Sequence, residues 1–127
     1  MKTEILKLQH HIIASYITTL QMQQDVHIDP HAFIDDGCKV LVDDINQNGH
    51  DLVRLIMDHG NTPAKEAILS VVGIDMTHIM PWSYAKSVYL PRLERHIRNK
   101  EIRSGAITCL NALKESDTEK ALLSLQK

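Results

Sequence analysis

The sequence predicts an all-α fold: a single compact domain, residues 1–127, of about seven helices arranged as an irregular bundle or as stacked helical hairpins. Three observations predict it. Apolar residues recur at steps of three and four along nearly the whole chain. Carboxylate- or proline-led starts precede several of those stretches. No segment alternates with the period of two that a half-buried strand requires. Ile, Leu and Val supply 35 of the 127 side chains, enough for a core without disulfides or a metal at this length. With one Trp, three Tyr and one Phe, that core is aliphatic.

The first helix is read from about Thr3 to about Gln23, where Ile5, Leu8, Ile12, Tyr16 and Leu20 line one face. Asp29-Pro30 reads as an N-cap followed by proline at the first helical position, where a missing N–H costs nothing. The second helix then carries Ile34, Cys38, Leu41 and Ile45 and stops near Asn46 to Gly49. A third carries Leu52, Val53, Leu55 and Ile56 and ends at Gly60, placed for a left-handed C′ position. Thr62-Pro63 opens the fourth, which runs through Ile68, Val71 and Val72 to Gly73. Ile74 to Pro81 is a connector with room for one helical turn. Helical spacing resumes at Tyr84, Val88, Leu90, Leu93 and Ile97, and Pro91 inside it predicts a kink or two abutting helices. Ile102, Ala106, Cys109, Leu110 and Leu113 mark the next helix. Ser116 to Glu119 forms a capping box for a last one carrying Ala121, Leu122 and Leu125.

The net charge of −2 conceals an asymmetry. Residues 1–80 hold five basic and eleven acidic side chains, and residues 81–127 nine basic and five acidic. Aspartates dominate the stretch from Asp25 to Asp58, and Asp35, Asp36, Asp43 and Asp44 are the candidate partner-binding carboxylates. Trp82, the only tryptophan, is either a core plug or an interface anchor. Arg92, Arg95 and Arg103 form a candidate anion-binding stripe, provided their helix is continuous.

Catalytic and metal-binding patterns are sparse. Cys38 and Cys109 form no ligand spacing and read as structural thiols. His27, His31 and Asp35 step by four, but Asp29-Pro30 begins a helix between the two histidines. His10 and His11 are adjacent, and on a helix they point about 100° apart. His50-Asp51 resembles the pair of metal-dependent phosphohydrolases but starts a helix instead of ending one. No cofactor, no bound metal and no catalytic residue are therefore expected.

Two helical templates touch the middle of the chain. Asn48 to Gly60 resembles the second helix of an ankyrin repeat, with Asn-Gly-His at its start and His-Gly at its close, which implies a helical-hairpin unit. Cys38-Lys-Val-Leu stands where that family has Thr-Pro-Leu-His, and no repeat near 33 residues recurs. Ile68, Val72, Gly73, Ile74, Ile79 and Trp82 fit a helix-turn-helix spacing, departing from it at Leu69 and Pro81.

No apolar run approaches the ~20 residues of a membrane span. Glu4, Lys7 and His10 interrupt what would otherwise open as a signal peptide. The expectation is a cytoplasmic, non-enzymatic protein-binding module for a partner with a basic surface. One form of it is an immunity protein that neutralises a nuclease toxin through its acidic face. The alternatives are a nucleic-acid-binding regulator using the basic segment 86–103, or a helical scaffold or adaptor.

Overall fold

The computed structural model describes residues 3–115, apart from the side chains of Met76 and of residues 109–115. The capping box at Ser116 and the helix expected after it lie outside the described residues, as does the Cys109 side chain. Among the described residues the protein is all-α, with no strand and with five helices where about seven were expected. They are α1 (Thr3–Gln21), α2 (Asp36–Asn48), α3 (Leu52–Asp58), α4 (Lys65–Val72) and α5. Helix α5 begins as one turn at Trp82–Tyr84, passes through a π-helical stretch at Ala85–Tyr89 and continues over Leu90–Glu115. Short 3₁₀ turns stand at Pro30–Ala32 and Met76–His78. None of the described helices is long and apolar enough to cross a membrane.

Local sequence accounts for most of these starts. Asp51 accepts the Val53 N–H at 3.2 Å and caps α3, and Asp75 accepts from Thr77 N at 3.0 Å to cap the second 3₁₀ turn. Thr62 Oγ1 accepts the Ala64 N–H at 3.2 Å as the chain turns into α4. At the end of α2, Gly49 takes φ 104°, the left-handed region that glycine tolerates. Helix α3 ends at Asp58 with His59 as its C-cap, which puts Gly60 at the expected C′ position, but Gly60 does not take the left-handed φ expected there.

Two expected boundaries move, each for a physical reason. Asp29 and Pro30 do open a helical turn, but it lasts three residues, and α2 starts anew at Asp36 behind a second cap, Asp35. Between them Phe33 is extended and buried, while Gln9 Oε1 on α1 accepts the N–H groups of both Ile34 and Asp35 at 2.9 Å. Those two donors are thereby satisfied outside any helix, so the break is stable. The second change is at Pro91, which lacks an N–H and whose ring would clash with the carbonyl four residues earlier. In the π stretch just before it, the Leu90 N–H reaches back five residues to the Ala85 carbonyl. The wider turn takes up the mismatch, so the chain stays helical across Pro91, where a kink or two abutting helices were expected, and runs on through the separate helix expected from Ile102.

The first compact unit runs to Glu94 and holds the core. Helix α1 packs against α2, α4 and the start of α5, and α4 also packs against α2 and α3. The sealed interior is Ile12, Ile13, Tyr16 and Ile17 of α1, Phe33, Cys38, Leu41 and Val42, Leu55, Ile68 and Leu93. Tyr16 joins three parts of it: its Oη donates to Asn46 Oδ1 at 2.6 Å, and Asn46 Nδ2 donates to the Ile28 carbonyl at 2.8 Å. The second unit begins at Arg95, and within it residues 98–108 are helical and exposed.

Candidate functional site

The aspartates between Asp25 and Asp58 differ in what their carboxylates already hold. Asp29, Asp35 and Asp51 are helix caps; Asp35 Oδ2 accepts the Cys38 N–H at 3.1 Å. Such carboxylates satisfy backbone donors and oppose the positive end of the helix dipole. They are structural charges.

Asp44 is committed more deeply. Its carboxylate accepts from Arg54 Nη1 at 3.2 Å on each oxygen, from Asn48 Nδ2 at 2.7 Å, and from His59 Nε2. His59 Nδ1 hydrogen-bonds Thr62 Oγ1 at 2.8 Å, Arg54 Nη1 also reaches Asp58 at 3.0 Å, and Arg54 Nη2 donates to the Gly49 carbonyl at 2.8 Å. Burial by itself raises the Asp44 pKa, but the hydrogen bonds from Asn48, His59 and Arg54 outweigh it, so the carboxyl titrates below its ordinary range. The network ties α2 to both ends of α3 and to the turn that leads into α4. Its hydroxyl–imidazole–carboxylate order is that of an activated nucleophile. Here, however, His59 is only 6 % exposed, and Thr62 Oγ1 is engaged by the Ala64 N–H.

Of the four candidate carboxylates, Asp36 and Asp43 remain. They lie on one stripe of α2 with Val40 and Gln47, at steps of four, three and four residues, and all four are exposed. Lys39 Nζ approaches Asp36 at 4.0 Å, and Gln47 donates to Asp43 at 3.1 and 3.2 Å. Both contacts are between flexible side chains at the surface, where they are weak and easily exchanged. Of the four partner-binding carboxylates picked out in the sequence, two are thus presented to solvent together, and two belong to the framework beneath them. A local signal marks Asp35 alone, three residues before the donor it caps; Arg54 and His59, which engage Asp44, lie ten and fifteen residues downstream and are brought to it only by the fold.

The other candidates scatter. Trp82 is partly buried, with its ring 5.7 Å from that of Tyr16 and packed on the core. Arg92, Arg95 and Arg103 are exposed on α5, which is continuous through all three. The helix-turn-helix spacing finds no second helix at its expected place, only the three-residue turn Met76–His78. Among the described residues no group of three or more His, Cys, Asp or Glu side chains is placed to hold a metal. The chain matches no protein-family model, no curated protein and no solved structure.

Proposed function

We propose that this chain is a non-enzymatic protein-binding module that docks a partner with a basic surface on the α2 stripe of Asp36, Val40 and Asp43. The observation that carries this reading is the contrast within α2: Asp44 is occupied by Arg54 and His59, while Asp36 and Asp43 hold only surface contacts. Asp36 and Asp43 stand two turns apart, about 10 Å along the helix, so lysine or arginine side chains of a partner can pair with both, and such complementary charge speeds encounter. Val40, 38 % exposed between them, adds apolar area that the charges by themselves lack. A nuclease toxin, with its phosphate-binding cleft, is the partner class that suits such a surface best, and an immunity protein is the corresponding role. A cytoplasmic site of action accords with the free thiol of Cys38.

The test is the association rate with a co-purified basic partner, for wild type and for Asp36→Lys/Asp43→Lys. The double variant is expected to associate at least about tenfold more slowly, and wild-type association is expected to slow as salt rises. An affinity indifferent to both changes overturns the reading. Both positions are exposed, so folding stability is expected to shift by no more than about 0.5 kcal/mol per site.

A second reading rests on α5, along which Lys86, Arg92, Arg95, Lys100 and Arg103 are all exposed. A nucleic-acid-binding regulator would use this segment, and its signature is duplex binding that weakens steeply with salt and is lost in Arg95→Glu/Arg103→Glu.

A further inference from the structure

On the side of α1 next to the end of α4 lies a cleft of about 350 Å³ lined by Lys7, His10, His11, Ser70, Gly73 and Ile74. Successive residues on a helix diverge by about 100°, yet here both histidines border one opening, His11 half-buried and His10 93 % covered. The His10 ring makes no hydrogen bond to another described residue. Among the described residues the sealed, unpartnered side-chain polar atoms are Ser15 Oγ and Arg54 Nε; the His10 nitrogens are not among them, and the ring lines the cleft. A polar side chain buried this far is ordinarily satisfied by protein, water or ligand.

The lining is one-sided in charge. Lys7 brings a cation, His10 and His11 bring ring N–H donors, Ser70 brings a hydroxyl, and among the described residues no carboxylate lines the opening. Gly73 leaves the floor open, and Ile74 supplies an apolar wall. We propose that this cleft binds a small organic anion, a short-chain carboxylate, whose charged end is held by Lys7, His10 and His11 and whose hydrocarbon lies against Ile74. Asp35 and Glu66 act on His10 from outside the lining: Asp35 caps α2, and Glu66 stands one turn before Ser70 on α4. Both carboxylates compete with the ligand for the same positive charge, Asp35 more strongly than Glu66 although its Oδ2 also accepts the Cys38 N–H. Burial lowers the His10 pKa and so favours the neutral ring, with a smaller contribution of the same sign from His11; the Asp35 and Glu66 charges act in the opposite direction. A bound anion favours the charged ring, so affinity rises as pH falls through the imidazole range.

The probe is butanoate, followed through the imidazole resonances of the intact chain. Saturable shifts confined to His10 and His11 are expected, while His27, His59 and His78 stay still. Lys7 is exposed, so Lys7→Gln leaves the fold intact and is expected to weaken binding at least about tenfold. Glu66→Gln is expected to tighten it. Butylammonium is expected to leave both resonances unmoved, and inorganic phosphate, having no hydrocarbon, is expected to bind more weakly than butanoate. Linear shifts spread over all the histidines, or an affinity unchanged in Lys7→Gln, overturn the site. Phosphate binding as tightly as butanoate overturns its assignment to a carboxylate.

Discussion

His59 Nε2 donates to the carboxylate of Asp44 fifteen residues upstream, and the same carboxylate takes both contacts from Arg54 Nη1. With His59 only 6 % exposed and the Asp44 side chain 13 % exposed, the pair is a largely dehydrated joint between α2 and the end of α3. Removing either partner leaves the other buried with unmet hydrogen-bonding capacity. Asp44→Ala and His59→Ala are each expected to destabilise the fold by about 2–3 kcal/mol in urea denaturation. The double variant is expected to lose less than the sum, because the two changes remove one interaction. The Asp44 pKa is depressed in the folded state, so its stabilisation is present above the ordinary carboxyl pKa of 3.8 and is lost as pH falls through the folded value. Asp44→Asn is therefore expected to flatten the acid limb below about pH 4.

Glycine is required at Gly37 for a reason of space. A Cβ built there would stand 2.4 Å from the Pro63 carbonyl oxygen, which is backbone and has no rotamer to yield. Gly37→Ala is expected to cost about 1–3 kcal/mol through forced separation of α2 from the Pro63 turn. A Cβ at Gly105 meets nothing within 4 Å, and the residue lies inside a helix. Gly105→Ala is expected to raise helicity, worth about 0.5–1 kcal/mol, as read by circular dichroism.

Cys38 is fully buried in the core, where burial, together with the nearby Asp35 carboxylate, pushes its thiol pKa well upward. The thiolate is the reactive form, so Cys38 is expected to resist an aromatic disulfide reagent in the native protein. In a Cys109→Ser background, labelling is expected to track global unfolding as urea is added. Rapid labelling in buffer would contradict the packing around α2.

His10 makes stability depend on pH in the neutral range. Its folded pKa lies below the ordinary 6.5, because burial disfavours the charged ring and His11 adds to that, against the Asp35 and Glu66 charges. Its favourable contribution is complete above 6.5 and is lost as pH falls towards the folded value. The urea midpoint is expected to drop between about pH 7.5 and pH 5.5, and His10→Gln is expected to reduce that drop.

The caps explain why so much of the helical plan was legible in the chain. An aspartate two or three residues ahead of the donor it satisfies acts locally, so Asp29, Asp51 and Asp75 mark starts wherever the chain goes afterwards. The three- and four-residue steps of Ile5, Leu8, Ile12 and Tyr16 are equally local and mark α1 as a helix with Ile12 and Tyr16 in the core. Burial on every side from Ile12 to Ile17, and of Gln9, His10 and Thr19, is not marked by that stripe. The rest depended on residues distant in sequence. Gln9, twenty-five residues before Ile34, turned an expected helix start into a three-residue turn and moved α2 to Asp36. The π stretch before Pro91 keeps the chain helical where a kink or two abutting helices were expected, an adjustment that the hydrophobic pattern does not encode.

In the candidate site the same division holds. The sequence by itself determined that acid gathers on and around α2, because composition is read without coordinates. Only the tertiary structure decided which carboxylates remain available: Arg54 and His59 fold back onto Asp44 and leave Asp36 and Asp43 to the solvent. It likewise decided that two histidines on diverging sides of one helix turn border a single opening, because α4 ends beside them. Charge is a property of a residue, but its availability depends on which groups reach it, and those contacts form only when the helices pack.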